Sequence, residues 1–327
     1  MKKRVLGKTG FEVSEVSLGG LFVSSFAAAQ TEANQAVARA LELGVNFVDT
    51  APGYANSEEA LGIALENVRQ PYYLSTKFGG RPQPFNPKDK AALMNSFEES
   101  LRLLKRDTID ILMIHEPDRP GQYDWWTQIN PLDGPVLEVL EDLKRQKLVK
   151  YVGLGGTTAY EIAPIIESGL FDVVLTAFNY SLLWREAEHV VLPAAKKQNM
   201  GIIIGSPLQQ GALARKHPEV TEGAWWLSKP RREQMLKLYA LSDELAMSLP
   251  ELCLRFVISN PDISTTLSGA RSVAEVEQNI GFADKGPLPE DVLKRLGEIA
   301  ALVPFRPFEE RFSMPFGSGY KGPGMAW

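Results

Sequence analysis

Short apolar runs rich in β-branched residues alternate with longer amphipathic stretches through most of the chain. The apolar runs predict strands, whereas stretches in which apolar residues recur every three to four positions predict helices. The predicted strands lie at 14–19, 45–49, 72–77, 109–115, 150–154, 172–177, 201–204 and 262–267. The predicted helices lie at 32–43, 57–67, 87–105, 131–147, 158–168, 185–199, 230–259, 272–282 and 289–302.

This alternation indicates an α/β fold, because strands that are apolar on both faces are typical of a parallel sheet covered by helices. Eight such strands, each followed by a helix, predict closure into a (β/α)8 TIM barrel. The segments 116–130 and 205–229 predict long loops at the carboxyl ends of strands, the face where barrels carry their active sites. No low-complexity linker divides the chain, so we expect a single barrel domain over 1–327 with an irregular C-terminal tail at 303–327.

Composition and charge exclude several classes of protein. The net charge is −5 and basic residues form no patch beyond the first few positions, which gives no basis for binding nucleic acid. No window of 18 residues is apolar enough to span a membrane. Glycines interrupt the stretch that most resembles a signal peptide, and Glu12 and Glu15 flank its apolar part. Cys253 is the only cysteine, which excludes an intramolecular disulfide and predicts a small buried hydrophobe. We therefore expect a cytoplasmic protein, with homo-oligomerisation left open.

Ionisable side chains end three neighbouring predicted strands. Asp49, Lys77 and His115 are the last residues of the second, third and fourth strands, and Tyr54 lies in the loop after Asp49. Asp49, Tyr54 and His115 each have an ordinary structural explanation, but an inward-facing lysine needs a carboxylate partner. Because strand ends in a barrel converge on one mouth, we expect the side chains to share a site. A capping device, a metal site and a catalytic pair all stay open on this reasoning alone.

The segment "GVNFVDTAPGYANSEEALG" resembles the signature of the aldo-keto reductases. Asp49, Tyr54, Lys77 and His115 match the catalytic tetrad of that family in order and spacing. The resemblance extends from "LGKTGFEVSEVSLGG" to "GARSVAEVEQNI" and is greatest for the bacterial sugar-dehydrogenase and potassium-channel-β-like branch. It implies a nicotinamide-dependent oxidoreductase that interconverts a carbonyl group (aldehyde, ketone or sugar) and its alcohol by hydride transfer.

The residue types suit the proton-transfer part of such a reaction, in which Tyr54 is the implied proton donor. A phenol has a pKa of roughly 10 in water, too high to titrate near neutrality. An ammonium about 4 Å away favours the phenolate by up to ~4 kcal/mol at an effective dielectric of 20, which predicts a pKa lowered by at most about 3 units. Asp49 would keep Lys77 charged, and His115 would hydrogen-bond the substrate oxygen.

The resemblance also implies a set of cofactor-binding residues. "GSPLQQGAL" resembles the loop over the cofactor pyrophosphate, and "SGARSVAEVEQN" leads from a strand into a helix whose N-terminus suits phosphate. The implied residues are Gly20, Asn179, Ser206, Pro207, Leu208, Gln210, Gly211, Lys216, Gly269, Arg271, Glu275, Gln278 and Asn279. The resemblance favours NADP(H) over NAD(H), with Arg271 gripping the 2′-phosphate. Glu275 would instead repel that phosphate or accept from a free ribose hydroxyl.

The nicotinamide contacts depart from the family pattern. Relatives carry Ser-Asn after the fifth strand, where this chain has Gly155 and Gly156. The usual glutamine after the sixth strand aligns with Ala177, with Asn179 as a substitute nearby, and Gly205 stands where an aromatic side chain often stacks on the nicotinamide. These changes leave open how the ring is held.

The two long loops contain aromatic residues that could stack on a sugar or another flat substrate: Tyr123, Trp125, Trp126, Trp225 and Trp226. Packing of these side chains against the barrel rim is the competing interpretation. Another function that the resemblance allows is a cofactor-binding regulatory protein with weak turnover. A metal-dependent hydrolase using Asp49 and His115 is disfavoured by Lys77 and by a total of three histidines, so no metal is expected.

Overall fold

The computed structural model describes residues 1–306 together with Met314. In chain order its strands are β1 (Lys3–Val5), β2 (Glu12–Ser14), β3 (Val16–Gly19), β4 (Phe47–Asp49), β5 (Tyr73–Phe78), β6 (Ile109–His115), β7 (Gln128–Ile129), β8 (Leu132–Asp133), β9 (Val149–Gly156), β10 (Val173–Ala177), β11 (Gly201–Gly205) and β12 (Thr265–Gly269). Its α-helices are α1 (Gln30–Glu42), α2 (Ser57–Ala64), α3 (Lys90–Leu104), α4 (Pro135–Arg145), α5 (Ala159–Glu167), α6 (Glu186–His189), α7 (Val191–Lys197), α8 (Pro218–Glu222), α9 (Lys229–Glu244), α10 (Leu249–Ser259), α11 (Val273–Asp284) and α12 (Glu290–Ala300).

Eight parallel strands of the described chain close into a barrel in the order β3, β4, β5, β6, β9, β10, β11, β12, with β12 pairing back to β3. Helices alternate with these strands, so the predicted (β/α)8 TIM barrel is confirmed. The predicted single domain over 1–327 stays a prediction, and the predicted tail lies outside the described residues beyond position 306, apart from Met314.

Alternation along the strands decides which side chains fill the barrel. Phe47, Met113, Val173 and Ile203 belong to an apolar cluster inside the barrel, separate from the larger cluster that also takes in the helices. Side chains two positions apart on a strand share a face. Asp49, two residues after Phe47, is therefore directed into the barrel, as is His115 two residues after Met113.

The amino-terminal end of the barrel is closed by the β1–β2 hairpin, which the hydrophobic pattern did not predict. Leu6 and Val13 join the cluster inside the barrel from this hairpin. Arg4 Nη1 donates to the carbonyls of Asn260 (2.7 Å) and Ile263 (2.8 Å), which ties the hairpin to the segment after α10. The hairpin leaves the opposite, carboxyl-end mouth as the place for a site.

Two predicted helices are each divided in the structure. The region 185–199 contains α6 and α7, and the region 230–259 contains α9 and α10. Ser248 caps α10 by accepting a hydrogen bond from the Glu251 N–H (3.2 Å), which begins a new helix instead of continuing α9. Cys253 is buried on α10, as expected. Across the described residues, none of the helices has both the length and the apolar character that crossing a membrane requires.

Candidate active site

Asp49 and His115 are the last residues of β4 and β6, and Lys77 is the penultimate residue of β5, which lies between these two strands in the barrel. Lys77 Nζ lies 2.6 Å from Asp49 Oδ2 and donates a second hydrogen bond to the Thr50 carbonyl (2.8 Å). The Ser75 hydroxyl donates to Asp49 Oδ1 (2.6 Å), so both carboxylate oxygens are occupied. Asp49 and Lys77 are each 1% exposed, which makes their ion pair part of the barrel interior.

Tyr54 reaches the same group of side chains from the loop between β4 and α2. Its N–H donates to the Ala51 carbonyl (3.1 Å) in a tight turn. Lys77 Nζ lies 4.9 Å from the centre of the Tyr54 ring, and the Tyr54 and His115 rings are 5.6 Å apart and nearly perpendicular. Ser57 supports the loop by donating to the Gly20 carbonyl (2.7 Å). The structure therefore brings the four predicted catalytic residues together.

Burial dominates the electrostatics of this group. It lowers the pKa of His115 to about 3, with a smaller contribution from the Lys77 ammonium, so the imidazole is neutral at ordinary pH. Burial alone would lower the pKa of Lys77, but Asp49 and Tyr54 together outweigh it and raise that pKa. Lys77 is thus held as a permanent cation.

The expected lowering of the Tyr54 pKa is not what the structure gives. Burial raises the pKa of the Tyr54 phenol, and the attraction of Lys77, which favours the phenolate, does not overcome it. The negative charges of Asp49 and Glu116 act in the same direction as burial. Tyr54 is therefore a protonated phenol without a ligand, which suits a proton donor.

An aromatic cluster supports His115 from the loop side. Trp125 is 0% exposed, and its Nε1 donates to the His115 carbonyl (3.0 Å). Tyr123 and Phe85 pack edge-on around Trp125. A Cβ at Gly79 would lie only 3.2 Å from His115 Cβ, so the chain passes close behind the imidazole.

This arrangement corrects the predicted substrate contacts. The described residues that line the cavity at the barrel mouth do not include Tyr123, Trp125, Trp126, Trp225 or Trp226. Trp126 donates to the Pro117 carbonyl (2.8 Å), and Trp225 is 80% exposed outside the cavity. For Tyr123, Trp125 and Trp126, packing at the barrel rim is the better description.

A cavity of about 1100 Å³ runs from Asp49 and Tyr54 across the ends of β10, β11 and β12. That volume is at the upper end of the range for ligand sites and suits an extended ligand. The predicted cofactor residues that line the cavity are Gly20, Ser206, Pro207, Leu208, Gln210, Gly211, Gly269, Arg271, Glu275, Gln278 and Asn279.

Asn179 and Lys216, the other two predicted cofactor residues, are not among the lining residues. Asn179 is buried and its Nδ2 donates to the Thr176 hydroxyl (3.0 Å), so it does not replace the missing glutamine. Lys216 pairs with Asp243 and lies over the Tyr239 ring, which directs its ammonium away from the cavity.

Small residues occupy the mouth on the side opposite the tetrad, and the structure explains two of them. A Cβ at Gly155 would lie 3.3 Å from Lys77 Cε, so a side chain there would press on the catalytic lysine. A Cβ at Gly156 would come within 2.7 Å of both Asp118 carboxylate oxygens. Side chains at these two positions would therefore require Lys77 and Asp118 to move.

Sequence reasoning missed several cavity-lining residues. Glu116, Arg119 and Gln122 come from the loop after β6, and Arg215 and His217 flank the predicted Lys216. Glu116 directly follows His115 in a loop already considered functional, a signal that could have identified it. Nothing in the local pattern distinguishes Arg215 from Lys216, because adjacent positions in an irregular loop follow no period.

At the far end of the cavity, Arg271 and Glu275 form an ion pair. Arg271 Nε lies 2.8 Å from Glu275 Oε1, and the Arg271 N–H donates to Oε2 (3.0 Å). Ser272 caps α11 by accepting from the Glu275 N–H (3.3 Å). The carboxylate of Glu275 therefore lies at the N-terminus of α11, which borders the cavity. Across the described part of the chain, no cluster of three or more His, Cys, Asp or Glu side chains could hold a metal ion.

Residues 16–301 match the model of the Aldo/keto reductase family. L-galactose dehydrogenase from Arabidopsis thaliana is 28% identical, covering 85% of this chain and 86% of that protein. NADH-specific methylglyoxal reductase from Escherichia coli is 27% identical, covering 86% and 93%. An aldo-keto reductase from Bacillus halodurans, solved in its holo form, superposes with a TM-score of 0.76 at 25% identity, covering 95% of this chain and 100% of that one. Sugar dehydrogenases and proteins named as potassium channel β subunits also match, at 25% to 28% identity.

Proposed function

Because the chain belongs to the aldo/keto reductase family, we propose that it interconverts a carbonyl group and the corresponding alcohol with Tyr54 as the proton donor and acceptor. The observation that carries this proposal is the buried Lys77–Asp49 pair beside Tyr54 and His115 at one end of the cavity. A phenol, a fixed cation and a neutral imidazole together can supply a proton and stabilise a forming alkoxide. The substrate class is an aldehyde, ketone or sugar.

Each residue has a distinct role in the proposed reaction. A bound dihydronicotinamide would supply the hydride. Tyr54 gives its proton to the alkoxide oxygen, and the Lys77 ammonium stabilises the phenolate that remains. Asp49 fixes Lys77 in place, and the neutral His115 hydrogen-bonds the substrate oxygen without competing as an acid.

The chain's residues fit a nicotinamide dinucleotide. The part of the cavity lined by Ala177 and Gly205 would take the nicotinamide ring, and the loop after β11 would cover the pyrophosphate. We propose that NAD(H) is accepted, because Glu275 already pairs with Arg271. The E. coli relative is named as NADH-specific. A solvent-exposed pair of this kind is weak, so NADP(H) can still compete for Arg271.

The test is a turnover assay in which NADH or NADPH is combined with a panel of aldehydes, ketones and sugars. Oxidation of the reduced nicotinamide that depends on the carbonyl compound is the expected result. Addition of EDTA should leave the rate unchanged. Inhibition by EDTA that zinc reverses would contradict the proposal and support a metal-dependent reaction instead.

A cofactor-binding regulatory protein with weak turnover is the second candidate. The observation that favours it is the absence of a side-chain clamp at Gly155 and Gly156, together with Asn179 turned toward Thr176. Rapid mixing of the NADPH complex with an aldehyde distinguishes the two. A fast first turnover followed by a slow steady-state rate supports an enzyme limited by product release. A slow first turnover supports the regulatory candidate.

A further inference from the structure

Glu116 lies at the start of the loop after β6 in a backbone conformation that side-chain-bearing residues rarely adopt. Its φ is 52°, in the left-handed region. Its N–H donates to the Gly155 carbonyl (2.7 Å), and its own carbonyl accepts from the Arg119 N–H (3.3 Å). Such a conformation persists only where the surroundings enforce it, and strained residues of this kind cluster at functional sites. The two hydrogen bonds fix Glu116 directly beside His115.

The Glu116 carboxylate is buried and half satisfied. It lines the same cavity as Asp49 and Tyr54 and is 9% exposed. Oε2 accepts from the Thr157 hydroxyl (2.6 Å). Within residues 1–306 and Met314, no donor bonds to Oε1. Asp118 Oδ1 is unpartnered and fully enclosed, whereas Glu116 Oε1 keeps some accessible surface. Oε1 is therefore an acceptor that is open toward the cavity.

Neither neighbouring cation forms a close ion pair with the Glu116 carboxylate. Arg119 Nη1 lies 4.0 Å from Oε2, at the limit of an ion pair, and Lys77 is held by Asp49 and Thr50. Asp118 and Tyr54 also face Glu116 and add no positive charge. Burial raises the pKa of Glu116 to about 7, so the side chain is only partly ionised at neutrality. Oε1 is therefore an accessible acceptor beside the proton-transfer groups, at a position where a ligand can supply the donor.

The surroundings of Oε1 favour a donor on a polar substrate. Gln122 lines the same cavity from the same loop, and its side-chain amide can donate to a hydroxyl oxygen. A carboxylate acceptor combined with an amide donor matches hydroxyl groups, each of which both donates and accepts. An aldehyde without hydroxyl groups would leave Glu116 Oε1 unpaired.

We propose that Glu116 is a specificity-determining residue that accepts a hydrogen bond from a substrate hydroxyl adjacent to the reacting carbonyl. This proposal rests on the carbonyl–alcohol chemistry proposed above. It selects hydroxylated aldehydes and ketones over simple ones. Loss of one hydrogen bond to a carboxylate corresponds to roughly a 10- to 100-fold change in equilibrium.

The test compares D-glyceraldehyde with propanal, which has the same carbon chain without hydroxyl groups. In Glu116→Leu, the ratio of kcat/KM for glyceraldehyde to kcat/KM for propanal should fall by about 10- to 100-fold, because any effect on the chemistry common to both aldehydes cancels in that ratio. The loss should appear mainly in KM, because the hydroxyl is bound equally in the ground state and transition state. Glu116→Gln, which keeps the volume and one acceptor, should lose less. Glu167→Gln removes an exposed carboxylate from α5 as the matched control.

Other outcomes separate the two proposals. Equal losses for both aldehydes, or weaker NADH binding measured by fluorescence, would assign Glu116 to the cofactor or to the scaffold and overturn its role in specificity. A wild-type protein that reduces neither aldehyde with NADH or NADPH removes the proposed chemistry itself, and the role of Glu116 falls with it.

Discussion

At the scale of single residues, Tyr54 is the group whose removal should change chemistry and little else. Tyr54→Phe keeps the ring that packs beside Lys77 and His115 but deletes the proton. We expect turnover to fall by roughly 10²- to 10⁴-fold, the usual range for a general acid. NADH affinity, measured by fluorescence titration, should stay close to that of the wild type. Turnover retained at the wild-type level would remove Tyr54 from the mechanism.

Replacing Asp49, the ion-pair partner of Lys77, should destabilise the fold. Asp49 is the carboxylate within ion-pairing distance of Lys77 in the described chain, and both side chains are buried. Asp49→Asn leaves an unpaired buried charge and should lower the free energy of unfolding by about 3–5 kcal/mol. The double variant Asp49→Asn/Lys77→Met should recover much of that stability in urea unfolding, but no turnover. A double variant less stable than Asp49→Asn would contradict this account.

Glu116 predicts a dependence of stability on pH. Its pKa in the folded protein is about 7, above the ordinary 4.5, so between these values the folded state holds a proton that the unfolded state has lost. Its contribution to stability is therefore present at low pH and is lost as pH rises through this window. Glu116→Gln should be more stable than wild type by up to about 3 kcal/mol at about pH 8, and nearly equal at about pH 4.

Urea unfolding of both proteins at the two pH values measures this difference. His115 titrates in the opposite direction, since its lowered pKa makes the fold lose stability in acid, but it is present in both proteins and cancels. A difference between the two proteins that does not change with pH would mean that Glu116 is ionised normally in the fold.

At the scale of elements, the ion pair at the N-terminus of α11 should influence the preference between NAD(H) and NADP(H). Glu275 holds Arg271 at the helix N-terminus, and both lie at the cavity. Glu275→Gln removes a like charge from the 2′-phosphate position and releases Arg271, so NADP(H) binding should tighten by about 1 kcal/mol. NAD(H) binding should be unchanged or slightly weaker. Glu277→Gln, which removes a carboxylate of the same helix that pairs with Arg39, is the control.

Isothermal titration of both cofactors checks this prediction. If Glu275→Gln binds NAD(H) and NADP(H) with wild-type affinities, the pair plays no part in cofactor choice. A similar gain in Glu277→Gln would indicate a general effect of net charge on binding, not a local one at the ribose.

The barrel strands are the elements best predicted from sequence, because each is a short run of mostly buried residues. The hairpins β1–β2 and β7–β8 were missed, since strands of two or three residues are too short to show a period. The break between α9 and α10 did have a signal: "SLPE" places a capping serine three residues before a glutamate, with Pro250 in the first turn.

Site residues on strands were placed more reliably than those on loops. Alternation fixes the direction of Asp49 and His115 once the strand is known. No comparable rule governs Trp125, which is buried behind His115, or Lys216, which turns to Asp243 while Arg215 lines the cavity. Loop direction is set by tertiary contacts that a single sequence does not reveal.

At the scale of the whole molecule, the barrel mouth is divided between two sides. The strands β4, β5 and β6 present charged and proton-bearing side chains, while β9, β10 and β11 end in Gly156, Ala177 and Gly205. In the proposed reaction, the nicotinamide ring would lie against the small residues while the reacting carbon faces Tyr54. The β1–β2 hairpin packs against the other end of the barrel, where Leu6 and Val13 join the apolar cluster.

The same division has a consequence for how proteins of this kind can be recombined. The proton-transfer groups and Glu116 come from residues 49–116, whereas the loop after β11 and the N-terminus of α11 come from residues 206–279. A chimera of two family members joined between β9 and β10 would take its proton-transfer groups from one parent and most of its proposed cofactor contacts from the other. Gly20 and Phe22 lie in the first half of the chain but line the cavity near Gly269, so this short segment would have to come from the same parent as α11.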